Sequence, residues 1–202
     1  MDSPISMEER IVEVAKQVFL ENGYEMTSMS DIAARAGINR PTLHYYFRTK
    51  ERMFQAVAAP ILDTFVPQVE TIIAADTPFM VKVERLLDAY MPIFKENPSL
   101  PRFVVGEMHR DIDSFLHLIG KFRTESLFRL LLETLLSEMD KGNIKRVPLP
   151  IVMGTFYGLL TFPFLTGNML NRLFFDNKEA YNAFLEEWKA NVLSQMRYLL
   201  QG

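Results

Sequence analysis

Along the first fifty residues the apolar side chains return at helical spacing. Ile11, Val14, Ala15, Val18 and Phe19 fall at i, i+3, i+4, i+7 and i+8, the stripe of an amphipathic helix. Ser6-Met7-Glu8-Glu9 has the form of a capping box at its start, and Gly23 is a suitable stop. A second helix is predicted from Ser28, whose hydroxyl can cap while Asp31 reaches back, through Ile32, Ala33 and Ala36 to Gly37. A third begins after Asn39, with Pro41 tolerated in its first turn because the amides there lack helical partners. It carries Leu43 and Phe47 inward and leaves Arg40, Thr42, His44, Tyr45 and Tyr46 mostly outward. A fourth starts near Lys50 and continues with Phe54, Val57 and Ile61.

The remainder keeps the helical period, punctuated by proline. Asp76-Thr77-Pro78 and Asn97-Pro98-Ser99-Leu100-Pro101 mark turns or helix starts, and Lys141-Gly142-Asn143 ends an apolar run from Phe122 to Met139. The last helix shows Tyr181, Phe184, Leu185, Trp188, Val192, Met196 and Leu199 on one face. Pro60, Pro67 and Pro92 fall inside helical patterns and are expected to kink or break them. No stretch alternates with period two, and no internal repeat is visible. The pattern predicts an all-α fold of about nine helices.

Composition adds bounds. The chain has 202 residues, a formal charge of −3 and no Cys, which excludes a disulfide scaffold and a Cys-ligated zinc site. Met1-Asp2-Ser3-Pro4 lacks the basic region and apolar run of a signal peptide, so a cytoplasmic protein is expected. Of the 16 Phe, 13 lie beyond residue 60, which supports a division into two parts. Between Arg146 and Arg172 no residue carries a formal charge, long enough to span a bilayer. Its prolines, glycines and threonines favour a helix buried in the protein or in a dimer interface, with no membrane. His109, Asp111, Asp113 and His117 are the residues with metal-ligand chemistry, and a solvated turn accounts for them. His109-Arg110-Asp111 also echoes a kinase catalytic loop, but Leu116 stands where that motif needs Asn. Neither a Walker A loop nor a nucleophile elbow is present, so no enzyme, no cofactor and no metal are expected.

Charge becomes informative locally. From residue 31 to 52 there are five bases (Arg35, Arg40, Arg48, Lys50, Arg52) and two acids (Asp31, Glu51), a net +3 within an acidic chain. Two short helices joined by Ala36-Gly37-Ile38-Asn39 match a helix-turn-helix, with Ala33 small at the crossing and Gly37 able to turn left-handed. Ile32, Ile38 and Leu43 would fill the inner face, and the second helix would meet the major groove.

At this point a family comes into view. Phe19, Asn22-Gly23-Tyr24, Thr27-Ser28-Met29-Ser30-Asp31-Ile32-Ala33, Ala36-Gly37-Ile38, Thr42-Leu43-His44-Tyr45-Tyr46-Phe47 and Lys50-Glu51 together make Ile11 to Val57 resemble the N-terminal domain of the TetR family of bacterial transcription regulators. The resemblance implies a three-helix DNA-binding domain over residues 1–52, which takes in the start of a connecting helix. A larger helical ligand-binding and dimerisation domain would cover residues 53–202. It implies that Arg40, Thr42 and His44 face base edges. Arg40 suits guanine through its fork, and Thr42 a thymine methyl. Tyr45, Tyr46 and Lys50 are assigned to phosphates, with Ser28 and its neighbours doing the same from the second helix. Two readings stand for Tyr45, which either reaches a phosphate or covers the domain edge. Arg48 and Arg52 stand either solvated or paired with Glu51, or on the DNA backbone. Ser30 takes a place where the family often has a base, so base contact there is expected to be weaker. Pro60 and Pro67 are expected to interrupt the connecting helix that carries the ligand signal.

The resemblance also implies a small apolar or aromatic effector in the second domain. Candidate contacts are Tyr90, Phe94, Phe103, Glu107, His109, His117, Phe128, Tyr157 and Thr161. A homodimer follows from the needs of a helix-turn-helix on a palindromic operator. Its expected interface is Gly154, Phe156, Gly158, Leu160, Phe184, Leu185, Trp188 and Val192; Gly154 and Gly158 serve equally for internal packing. The function expected is a ligand-responsive repressor on double-stranded DNA. The competing class is a DNA-independent helical ligand carrier or scaffold.

Overall fold

A computed structural model describes residues 6–201, and its regular structure is helical throughout. Met1-Asp2-Ser3-Pro4, read above for a signal peptide, lies outside these residues. In chain order the helices are α1 (Met7–Asn22), α2 (Met29–Ala36), α3 (Arg40–Tyr46), α4 (Lys50–Ala74), α5 (Phe79–Glu96), α6 (Leu100–Arg110), α7 (Ile112–Gly120), α8 (Thr124–Asp140), α9 (Leu149–Leu165), α10 (Gly167–Phe174) and α11 (Lys178–Leu200).

The described residues thus hold eleven helices where the pattern predicted about nine. The extra breaks arise from single residues that stop or start a helix while apolar periodicity runs on. Asp111 opens α7 by accepting from the Ser114 N–H at 3.1 Å. Arg123 adopts φ 62° between α7 and α8. Asn177 opens α11 by accepting from the Ala180 N–H at 2.8 Å. α9 and α10 are bent by 62° at Thr166.

The prolines act more gently than expected. α4 runs unbroken from Lys50 to Ala74 through Pro60 and Pro67, and α5 continues through Pro92. A proline inside a helix removes one donor and costs roughly 3 kcal/mol. α5 buries seven large apolar side chains and Ala89 between Phe79 and Phe94, the large ones contributing about 1.5–3 kcal/mol each. Burial therefore outweighs the defect.

By packing, the described residues form two compact units, neither of them one continuous stretch. One comprises the residues up to Thr64 with Arg102–Thr124; the other comprises Phe65–Pro101 with those from Glu125 on. These limits differ from a boundary at residue 52. In the first unit α1 packs on α2 and α2 on α3, around Ile11, Ala15, Phe19, Ile32, Leu43 and Met53. In the second, α5, α9 and α11 pack on one another.

The uncharged stretch after Arg146 becomes α9 and α10, and Val152, Phe156, Leu160 and Phe164 enter the second unit's core. By length and apolarity α4 is long enough to cross a membrane, whereas α9 and α10 reach that length only as a bent pair. Pro163 lies inside α9 and has no N–H for the carbonyl of Leu159, four residues back. The Trp188 indole N–H of α11 fills that place, donating to Leu159 O at 2.8 Å. The Tyr181 hydroxyl likewise donates to Pro163 O at 2.8 Å. Two ion pairs, Lys95–Glu186 and Lys189–Asp88, tie α5 to α11. Buried Lys82 donates to Ile73 O at 2.6 Å and so satisfies a carbonyl at the end of α4.

Trp188→Phe keeps an aromatic ring but leaves the Leu159 carbonyl unpaired. We expect a loss of about 1–3 kcal/mol in urea unfolding followed by far-UV dichroism. An unchanged midpoint would show that water replaces the indole.

Candidate nucleic-acid interface

Local chemistry sets the geometry of the α2–α3 pair. Ser28 Oγ accepts from the Asp31 N–H at 3.2 Å, and Asp31 Oδ2 accepts from the Ser28 N–H at 2.8 Å. These bonds hold the Asp31 carboxyl below its ordinary value of 3.8. Gly37 ends α2 in the left-handed region, at φ 68° and ψ 29°, and its N–H closes on Ala33 O and Ala34 O. Asn39 then opens α3, its Oδ1 accepting from both the Thr42 N–H and the Thr42 hydroxyl at 2.8 Å. Ile32, Ala33 and Leu43 are buried between the helices, while Ile38 is only half-buried.

The pair therefore presents one polar face. Arg40 is exposed, Thr42 and His44 are half-buried, and Tyr45 is 83% exposed. Tyr46 is 36% exposed and meets Tyr45 edge-on, with ring centroids 5.2 Å apart. Phe47, just past the helix, is buried. Thr42 has its hydroxyl committed to the Asn39 cap, which leaves the methyl as its distinctive group. Ser28, the cap of α2, and Ser30 in its first turn are exposed. Among the described residues no carboxylate pairs with Arg40, Arg48 or Arg52. Glu51 instead accepts from Gln55 at 3.1 Å. Arg35 is engaged in a two-pronged pair with Glu21, at 2.9 Å for each bond.

Lys50 is also engaged within the protein. Its ammonium donates to Tyr24 O at 3.1 Å and Glu25 O at 3.3 Å, and lies 4.3 Å from the Tyr24 ring centroid. It also pairs with the Glu25 carboxylate at 4.0 Å, so its first task is to hold the turn between α1 and α2. Tyr24 itself stacks on Phe19 and meets Phe54 edge-on. Burial pushes its phenol up, helped by Glu25 and Glu51.

The candidate effector residues divide between the units. Tyr90, Phe94 and Tyr157 meet in the second unit, where the two phenol oxygens lie 2.9 Å apart. Burial pushes both phenols up, Tyr90 strongly. Thr161 donates to Tyr157 O at 2.7 Å, and Phe128 is exposed. In the first unit Phe103 is buried, stacked on Phe54 and edge-on to Phe115, and His109 and His117 are exposed. Glu107 is buried there and holds the Tyr24 amide, a role that nothing in the sequence signalled across 83 residues. Asp111 accepts from the N–H and hydroxyl of Ser114 at the head of α7.

The residues expected at a dimer interface divide by burial. Phe156, Leu160, Leu185 and Val192 are buried in the second unit's own core. Phe184 and Trp188 are partly buried, and Gly154 and Gly158 are exposed. The apolar residues that α9 leaves outside are Ile151, Phe162 and Leu165. Periodicity identified an apolar helix without telling its inner face from its outer one.

Comparison with known proteins supports the reading of the first fifty residues. Residues 11–57 match the family described as bacterial regulatory proteins, tetR family. The chain is 23% identical over 201 residues to the probable HTH-type transcriptional regulator YttP of Bacillus subtilis, covering 96% of this chain and 95% of that protein. Its fold is similar to that of the transcriptional regulator FadR from Bacillus subtilis, solved in complex with stearoyl-CoA. That match has a TM-score of 0.64 and 19% identity over 93% of this chain and 96% of the other. The TetR-family regulator PfmR from Thermus thermophilus gives a TM-score of 0.61 and 21% identity, covering 92% of this chain and 97% of its own.

Two basic residues separate structure from binding. Lys50→Ala is expected to lower unfolding stability by about 1–3 kcal/mol through the lost carbonyl bonds and to weaken every duplex alike. Arg35→Ala, losing an exposed pair, should change stability by at most about 1 kcal/mol and leave duplex affinity unchanged. Urea unfolding and fluorescence anisotropy on a labelled duplex distinguish them; equal effects would refute the assignment.

Proposed function

We propose, from the match of residues 11–57 to the tetR family of bacterial regulatory proteins, that the chain is a ligand-responsive repressor of that family which binds a palindromic operator as a homodimer. The carrying observation is the outward face of α3. Among the described residues no carboxylate pairs with Arg40 there, while Leu43 and Phe47 anchor the helix from beneath. Residues 1–52 bind DNA in this reading, and residues 53–202 take the effector and the partner subunit. Arg40, Thr42 and His44 read bases, and Ser28, Ser30, Tyr45, Tyr46 and Lys50 orient the domain on the backbone. Two such faces are required about 34 Å apart, one turn of duplex. The uncharged outer side of α9, with Ile151, Gly154, Gly158, Phe162 and Leu165, suits a second copy of itself because the glycines allow close approach.

The test is selection from a random duplex pool at near-physiological salt. We expect an enriched palindrome with half-sites about one turn apart. Arg40→Ala should cost about 1–3 kcal/mol on that operator and relax one position of each half-site. Absence of enrichment, with only shallow salt-dependent binding, would refute the operator reading and favour a helical ligand carrier.

The effector proposed is an apolar molecule carrying one hydrogen-bonding group. The aromatic box of Phe65, Phe94, Phe156 and Phe164 supports this, with the Tyr90–Tyr157 pair as its polar element. The stearoyl-CoA bound by the FadR relative is in keeping with an apolar ligand. An effector that hydrogen-bonds would compete for hydroxyls that now bond each other. Tyr157→Phe is expected to weaken effector-induced release from the operator about tenfold while leaving operator affinity alone. Release identical to the parent's would remove Tyr157 from the site.

A further inference from the structure

Glu107 is a buried carboxylate that no part of DNA reading uses so far. It sits on α6 at 5% exposure. Its Oε1 accepts from the Tyr24 N–H at 3.1 Å and from Arg110 Nη1 at 2.9 Å. Tyr24 lies in the turn from α1 to α2, and the fit around that turn is close. A Cβ on Gly23 would stand 2.8 Å from Glu107 Oε1 and 3.0 Å from Arg110 Nη2, and Gly23 adopts φ 84°. Glycine alone meets both demands. From α4, Lys50 holds the carbonyls of Tyr24 and Glu25. The Thr27 hydroxyl donates to Gly23 O at 2.8 Å. The amide and the carbonyl of one residue are thus held from α6 and from α4. Ser28, the cap of α2, follows four residues later.

We propose that Glu107 is a positioning residue for DNA binding: its carboxylate fixes the turn from which the α2–α3 pair is presented. The proposal rests on the DNA-binding reading above. The bond to Tyr24 is charge-assisted, so it is strong and directional. Without it the amide is a freed donor, and the turn samples other arrangements. The pair then points correctly for only a fraction of the time, and the apparent operator affinity falls by that fraction. Glu107 touches no DNA in this account.

The test uses the full chain and the operator from the pool selection. Glu107→Ala is expected to bind about tenfold more weakly, with the parent's salt slope, because the bound complex makes the same phosphate contacts. Glu107→Gln should recover most of the affinity, since its amide oxygen still accepts from Tyr24. Hydrogen exchange at the Tyr24 amide should quicken in Glu107→Ala and stay slow in Glu107→Gln. Where Glu107→Ala does not fold, Glu107→Asp carries the test, its shorter side chain falling short of Tyr24 with the same expected loss. A folded variant with parental affinity overturns this role alone, as does a loss accompanied by a shallower salt slope. A parent chain that enriches no duplex overturns the DNA reading and this role with it.

Discussion

Backbone polar groups released at the end of one helix have to be satisfied before the next helix can start, and in this protein that requirement governs the DNA-facing unit. Between α1 and α2 the chain reverses through Gly23, Tyr24, Glu25, Met26 and Thr27. The freed groups find partners on distant helices: Glu107 for the Tyr24 amide and Lys50 for two carbonyls. Each is an ionised group bonding to backbone, the stronger kind of hydrogen bond. The turn from which α2 departs is thus held from both α4 and α6, and α3 follows through the short turn at Gly37. The recognition helix is only seven residues long and could not hold its place unaided, since isolated helices of that length are unstable in water.

The second unit meets the same requirement differently. Its main helices carry prolines at positions that a propensity argument would forbid. In α9 the carbonyl orphaned by Pro163 takes an indole N–H from α11, so the defect becomes a point of attachment. Trp188 also packs on Phe162 and Phe184, joining apolar burial to a directed bond. The contact between α9 and α11 is thus specified in register as well as in area.

The electrostatics show why total charge was a poor guide. The chain is acidic overall, yet the positive charge lies where α3 and the start of α4 meet solvent. Arg35 and Lys50 contribute to that count but are engaged by the protein's own groups. The charge free to meet phosphate falls mainly to Arg40, Arg48 and Arg52, a smaller and more localised set. Steering toward a polyanion depends on such local fields rather than on the sum.

Short-range features were legible from the residues themselves. The capping boxes at Ser6 and Ser28, the left-handed Gly37, the Asn39 start and the inward Leu43 and Phe47 all depend on neighbours within four positions. The all-helical class followed from a period that is likewise local. The count of helices did not, because one capping side chain or one backbone reversal ends a helix while the apolar stripe continues through it. Nor did the effect of Pro60 and Pro67, since whether a defect breaks a helix depends on the burial that holds its flanks together. Which face of α9 is inner, and that Glu107 and Lys50 serve the same turn, depended on packing between residues tens of positions apart. A sequence records such residues without recording their distance, and only the tertiary fold brings their charges to the backbone groups that need them.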